Sequence, residues 1–200
     1  INQIGGTFNN FAVIEVKNGA TGVKLSKGTF NADGIKDKAD KIVISPSEIN
    51  VSGKNSIGLD ISADGKLGKV LGSINVSDGA TGIKLNQGTK NTINYNGVID
   101  VKQGTGVEVL GGTFITKKTI LVQDGTGIKL SDGPVNNSST GKIDVQGKGT
   151  GVDITGGKFT NKNIVNVGKG NGTGVKVDGG KFINEKRVGV YSGCLLYTSD

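Results

Sequence analysis

Histidine, methionine and tryptophan are missing from this chain of 200 residues, cysteine occurs once and proline twice. Without histidine no Ser–His or Cys–His nucleophile can be assembled, and zinc has no ligand set. Aromatic residues make up only 4%, and Arg187 is the single arginine. Base stacking and bidentate phosphate recognition depend on those side chains, which argues against a nucleic-acid partner despite a net charge of +7. No apolar run approaches the roughly 20 residues of a membrane span, so the chain is not expected to be membrane-embedded. No signal peptide is recognisable and the pattern opens in full stride at Ile1, which reads as a fragment. Gly-Lys pairs recur, but none continues into the Ser or Thr and the helix of a phosphate loop. No cofactor is implied.

What is abundant is glycine, 36 residues of it, in a repeat. A glycine followed by an apolar–charged–apolar triplet opens at Gly22, Gly58, Gly82, Gly106, Gly127, Gly151 and Gly174. The intervals are 36, 24, 24, 21, 24 and 23 residues, and the long first one marks an insertion within 31–48. Upstream of each glycine lies a second alternating triplet, such as Ile74-Asn-Val76, Ile99-Asp-Val101 and Ile143-Asp-Val145. A third apolar slot holds Phe8, Phe30, Phe114, Val135, Phe159 and Phe182, with Lys90 standing at that count in one repeat.

Three short alternating segments in about 23 residues give one coil of a three-sided solenoid. The expected fold is all-β, a right-handed parallel β-helix of about seven or eight coils with three strands each. Alternation sends the outer residues of each triplet inward and the middle one outward. Corner glycines are expected to supply positive φ. Residues 1–193 form one such unit.

Stacking in register turns each slot into a column. The middle residues of the glycine-led triplets are Lys24, Asp60, Lys84, Glu108, Lys129, Asp153 and Lys176, alternating in sign throughout. This is expected to be a self-neutralising ladder that selects register. The other triplet's column reads Glu15, Asn50, Asn75, Asp100, Leu121, Asp144, Asn166. Asp100 and Asp144 would stand about 10 Å apart with Leu121 between them, a loose spacing for a general acid and base. Threonines preceding the repeat glycine, among them Thr81, Thr105, Thr126, Thr150 and Thr173, are read as turn-stabilising hydroxyls. Asn10, Thr116, Asn137, Asn161 and Asn184 form a polar column expected to serve corner backbone groups. Lys117, Lys118, Lys162, Lys186 and Arg187 follow at the next corner, a candidate edge for weak binding of acidic ligands.

Cys194-Leu-Leu-Tyr-Thr-Ser-Asp200 departs from the repeat and holds the only cysteine. It resembles a translated transposase mosaic end from a sequencing library, so 194–200 is treated as an adapter-derived tail.

The units GTGVEVLGGTF, GTGIKLSDGPV, GTGVDITGGKFTN and GTGVKVDGGKFIN resemble repeats of autotransporter passenger domains. That resemblance implies display at the outer membrane or secretion, and a non-enzymatic role in adhesion or aggregation. Its implied partners are host or bacterial cell-surface glycans or proteins, or further copies of the chain. The competing class is a β-helical polysaccharide-degrading enzyme or phage tail-spike segment, which would gather acids with Arg or His on one face.

Overall fold

A computed structural model describes residues 1–33, 35–36, 42–44 and 47–198. No helix occurs among them. Three parallel sheets of nine, eight and five strands run the length of a β-solenoid, one coil stacking on the next. The nine-stranded sheet carries the glycine-led triplets and is called here the Gly face. The eight-stranded sheet carries the other triplets and is the Ile face, with one strand from each of about eight turns. The five-stranded sheet, from Thr92–Tyr95 to Lys181–Asn184, is the Phe face. In the first coils the strands Asn2–Asn10, Thr21–Ala32 and Ile57–Val70 bend through the Gly and Phe faces without a break.

Alternation builds the core as expected. In Ile99–Val101 the outer residues are buried and Asp100 is only partly so, and the same pattern recurs in Ser73–Val76 and Ile164–Val167. Val101, Val107, Val109, Phe114, Ile120 and Val122 are all 0% exposed. Like residues stack on like: Phe8 lies on Phe30 at 5.8 Å between ring centroids, and Phe159 on Phe182 at 5.7 Å.

One slot is corrected. Ile93, not Lys90, pairs with Phe114 and is fully buried, while Lys90 stands exposed. From Leu85 to Ile93 is eight residues, against five from Val109 to Phe114. The longer turn carries the slot three positions on, so counting by a fixed spacing lands on the lysine.

The glycines divide into two kinds. Those before the Phe slot, including Gly112 (φ 74°), Gly133 (84°), Gly157 (69°) and Gly180 (75°), do adopt left-handed backbone. The repeat glycines do not. A Cβ on Gly106 would fall 2.6 Å from the Gly127 oxygen and 2.9 Å from Val101 Cγ2, and Gly82, Gly127 and Gly151 are as tight. Close approach of coil to coil, not backbone hand, keeps that position glycine.

The 31–48 insertion falls partly outside the described residues. Its described strands, Ile35–Lys36 and Ile42–Ile44, pair antiparallel with each other and join none of the three faces. Gly193–Thr198 adds a ninth strand to the Gly face against Gly172–Val177.

Candidate functional site

The charge column is in register from end to end. Lys24 pairs with Asp60, Asp60 with Lys84, Lys84 with Glu108, Glu108 with Lys129, Lys129 with Asp153, and Asp153 with Lys176. Two of these neighbours close to ion-pair distance, Lys84–Glu108 at 3.2 Å and Asp153–Lys176 at 3.7 Å. Asp60 instead accepts a hydrogen bond from Asn86 Nδ2, and Lys176 also reaches Asp178 in its own coil. The bond from Lys176 to Asp178, followed by the charge of Asp153, raises the lysine's pKa despite some opposing desolvation. Beside the column runs the threonine series Thr81, Thr105, Thr126, Thr150, Thr173, also in register. No hydroxyl of those five bonds to the backbone, so the turn-stabilising role is corrected. They sit within the strands, half-buried, with outward hydroxyls left to solvent.

The polar column is internal from Thr116 to Asn161 and ends at the exposed Asn184. Asn137 Nδ2 donates to Asn161 Oδ1 at 2.7 Å, and Asn161 Nδ2 to Asn184 Oδ1 at 2.9 Å. The same amides serve corner carbonyls, Asn137 that of Ile164 and Asn161 that of Arg187. Asn137 and Asn161 are 0% exposed, which makes this an amide ladder in the core.

The basic corner is less continuous than its sequence suggests. Backbone bonds Ser138 N to Thr116 O, Lys162 N to Asn137 O and Glu185 N to Asn161 O align Lys117, Ser138, Lys162 and Glu185 in one column. Lys117 and Lys162 therefore lie two coils apart, about 10 Å, and Glu185 follows Lys162. Lys118 and Lys186 are exposed at the next corner position, and Arg187 Nη2 donates to Tyr191 Oη at 3.2 Å. Towards the N-terminus the corner is apolar, with Phe11, Val13, Leu71 and Val98 exposed.

On the Ile face the two acids are separated as the register requires, Asp100 pairing with Leu121 and Leu121 with Asp144. Their surroundings differ. Asp144 accepts bonds from Asn166 Nδ2 (2.9 Å), Lys142 Nζ (2.9 Å) and Gln146 Nε2 (3.3 Å). Partial burial pushes its pKa up, but the bonds from Asn166, Lys142 and Gln146 outweigh this and hold it below the usual carboxylate value. Asp100 has a shielded Oδ1 with no hydrogen-bond donor at all.

Beside Asp100 lies a groove of about 190 Å³ lined by Asn50, Ser52, Asn75, Ser77, Asp100 and Lys102 and by the strand backbone between them. It was legible in the sequence as a series of i, i+2 pairs that column-by-column reading passes over: Glu15/Lys17, Asn50/Ser52, Asn75/Ser77 and Asp100/Lys102. The register places these four pairs on successive coils. The first is an ion pair at 3.4 Å. Asn75 donates to Asn50 Oδ1 and Asn50 to Glu15 Oε1, each at 2.7 Å, and the Asn50 bond is the main reason the Glu15 pKa is lowered. Every amide in this series points towards the N-terminus, so none serves Asp100.

No protein-family model, curated protein or solved structure matches the chain. Its class rests on the fold: a parallel β-solenoid of regular coils.

Proposed function

We propose that this solenoid is a rod-like presenting element of a surface-displayed protein of the autotransporter type, acting by attachment or aggregation and not by turnover. The observation that carries the reading is the continuity of the outward columns. Charges and hydroxyls repeat at one coil spacing, about 4.8 Å, along the Gly face. A surface of that kind offers many weak, equivalent contacts, and multiplicity converts them into avidity. The repeat resemblance supports the same reading, and so does the arrangement of acids: Asp144 is fully engaged and Leu121 separates it from Asp100.

The test is retention of chain-coated beads on bacterial and epithelial cells across a salt series. Retention that exceeds that of blank beads and falls steeply with salt is expected, since exposed charges are screened within about 10 Å at 0.1 M. Parallel incubation with pectin, alginate and glycosaminoglycans checks for cleavage. Turnover abolished by Asp100→Asn or Asp144→Asn would make the protein an enzyme and overturn the proposal.

A further inference from the structure

The groove on the Ile face has the construction of a ligand trough. Its floor is made of small polar pairs, Asn50/Ser52 and Asn75/Ser77, on two adjacent coils. The larger, charged pair Asp100/Lys102 closes it at one end, and the pair Glu15/Lys17 stands on the coil beyond the other. The ends are not equivalent. Glu15 and Lys17 neutralise each other, and Glu15 receives the Asn50 amide. At the other end Asp100 Oδ1 is shielded from water without a donor, and Lys102 makes no ion pair with it or with any other described acid.

An unpartnered shielded carboxylate oxygen is a stability cost that the fold has a simple way to remove. Asparagine at 100 would add a rung to the ladder that already runs from Asn75 to Asn50 to Glu15. Asp144, in the same column, shows that an acid there can be satisfied by neighbours. Asp100 is left open between a small-residue floor and a free lysine.

We infer that the trough binds a short uronic-acid-containing oligosaccharide lying along the rod axis, with sugar hydroxyls donating to the partly exposed Asp100 carboxylate, whose two oxygens exchange by rotation about its terminal torsion, and a sugar carboxylate accepting from Lys102. This rests on the reading of the chain as a glycan-attaching surface and gives that reading a specific site. Residues i and i+2 of a strand lie about 6.7 Å apart along the backbone, so the carboxylate and the ammonium leave the strand from points separated by roughly the width of a sugar ring. A hydroxyl-rich ring with its acid on the opposite side satisfies both. Ser52 and Ser77 leave space beneath it, and Asn50 and Asn75 line its edge. A divalent cation fits less well, because a hard cation takes six or more oxygens and Asp100 is the trough's only carboxylate at this end.

The test uses the whole chain and NMR titration with trigalacturonate, a hyaluronan tetrasaccharide, neutral maltotriose and calcium chloride alone. Shifts centred on Asn75, Ser77, Asp100 and Lys102 with the acidic sugars, and at least about tenfold weaker binding by Asp100→Asn and by Lys102→Ala, are expected. Asp100→Asn should at the same time melt about 2 °C higher, because the ladder gains its missing rung. Loss of binding alongside a gain in stability separates a binding role from a structural one. Equal binding of maltotriose, or calcium alone reproducing the shifts, overturns the inference. So does acidic-sugar binding that survives both substitutions but vanishes when Lys117, Lys118, Lys162 and Lys186 are changed to alanine, an outcome that leaves the attachment reading standing. A chain that retains neither sugars nor cells defeats both.

Discussion

Gly106→Ala is the sharpest probe of how the coils are held together. The added methyl would sit 2.6 Å from the Gly127 oxygen, 2.9 Å from Val101 Cγ2 and 3.2 Å from Ile99 Cγ2. The first of these is backbone of the next coil, paired through Thr105–Thr126 and Val107–Ile128, so it retreats only if the ladder opens. Overpacking of this kind costs about 1–3 kcal/mol, and each ladder hydrogen bond weakened adds up to about 1 kcal/mol. We expect a loss of about 3 kcal/mol, which for a chain of this size lowers Tm by roughly 6–12 °C. Two other glycines separate the causes. Gly88 has φ 79° and a Cβ there would meet nothing within 4 Å, so Gly88→Ala isolates left-handed backbone strain at about 1–2 kcal/mol. Gly168 has ordinary φ and its nearest neighbour at 3.5 Å, so Gly168→Ala should be neutral or stabilise by up to about 1 kcal/mol. Calorimetry of the three variants gives the order directly. Equal melting of all three, or a loss at Gly168 matching that at Gly106, would refute the reasoning that coil contact fixes the repeat glycine.

The parts of this fold legible in the sequence are those governed by the two-residue period. A triplet such as Ile99-Asp-Val101 has one arrangement that buries both apolar ends, and a repeat of such triplets has one way to stack them. The charge column followed from register alone. Spacing failed where a corner changed length, because an inserted residue alters the count without altering the face. A fixed count therefore lands on Lys90, while Ile93 fills the slot. The cause of glycine's recurrence was also hidden. Gly106 and Gly112 look alike in a string of letters, yet one is held by a neighbouring carbonyl and the other by its own φ. The trough escaped because its signal runs in two directions at once. Asn75/Ser77 is ordinary in its own strand and becomes a floor only between Asn50/Ser52 and Asp100/Lys102.

Further outcomes are expected. Glu108→Lys places three like charges on adjacent coils and should cost about 0.5–1.5 kcal/mol in low salt, a loss that added salt should shrink. Identical melting of this variant and the unaltered chain in low salt would show that the column is not in contact. Asp144 has a pKa lowered by folding, so its contribution to stability is present above the unfolded value of about 3.9 and is lost as pH falls through the folded one. Asp144→Asn should therefore flatten the acid limb of a Tm-against-pH curve, and an unchanged slope would discount its three bonds. The last expectation concerns the internal amide ladder. Asn137 Oδ1 is buried without a donor, whereas Asn161 Oδ1 accepts both the Asn137 amide and the Asn163 N–H. The difference lies in the corners. Two residues, Lys162 and Asn163, follow Asn161 before the next strand core, whereas four, Ser138 to Gly141, follow Asn137 and carry the equivalent N–H away. Thr116 occupies the preceding rung and spends its hydroxyl on the Lys118 carbonyl. Its own corner is the short kind, so asparagine there has an N–H from Lys118 for its oxygen and amide protons for both the Lys118 carbonyl and Asn137 Oδ1. Thr116→Asn should stabilise the chain by about 1 kcal/mol, raising Tm by roughly 2–4 °C. A fall in Tm would mean that the slot beside Tyr95 has no room for the longer side chain and that the ladder ends there for steric reasons.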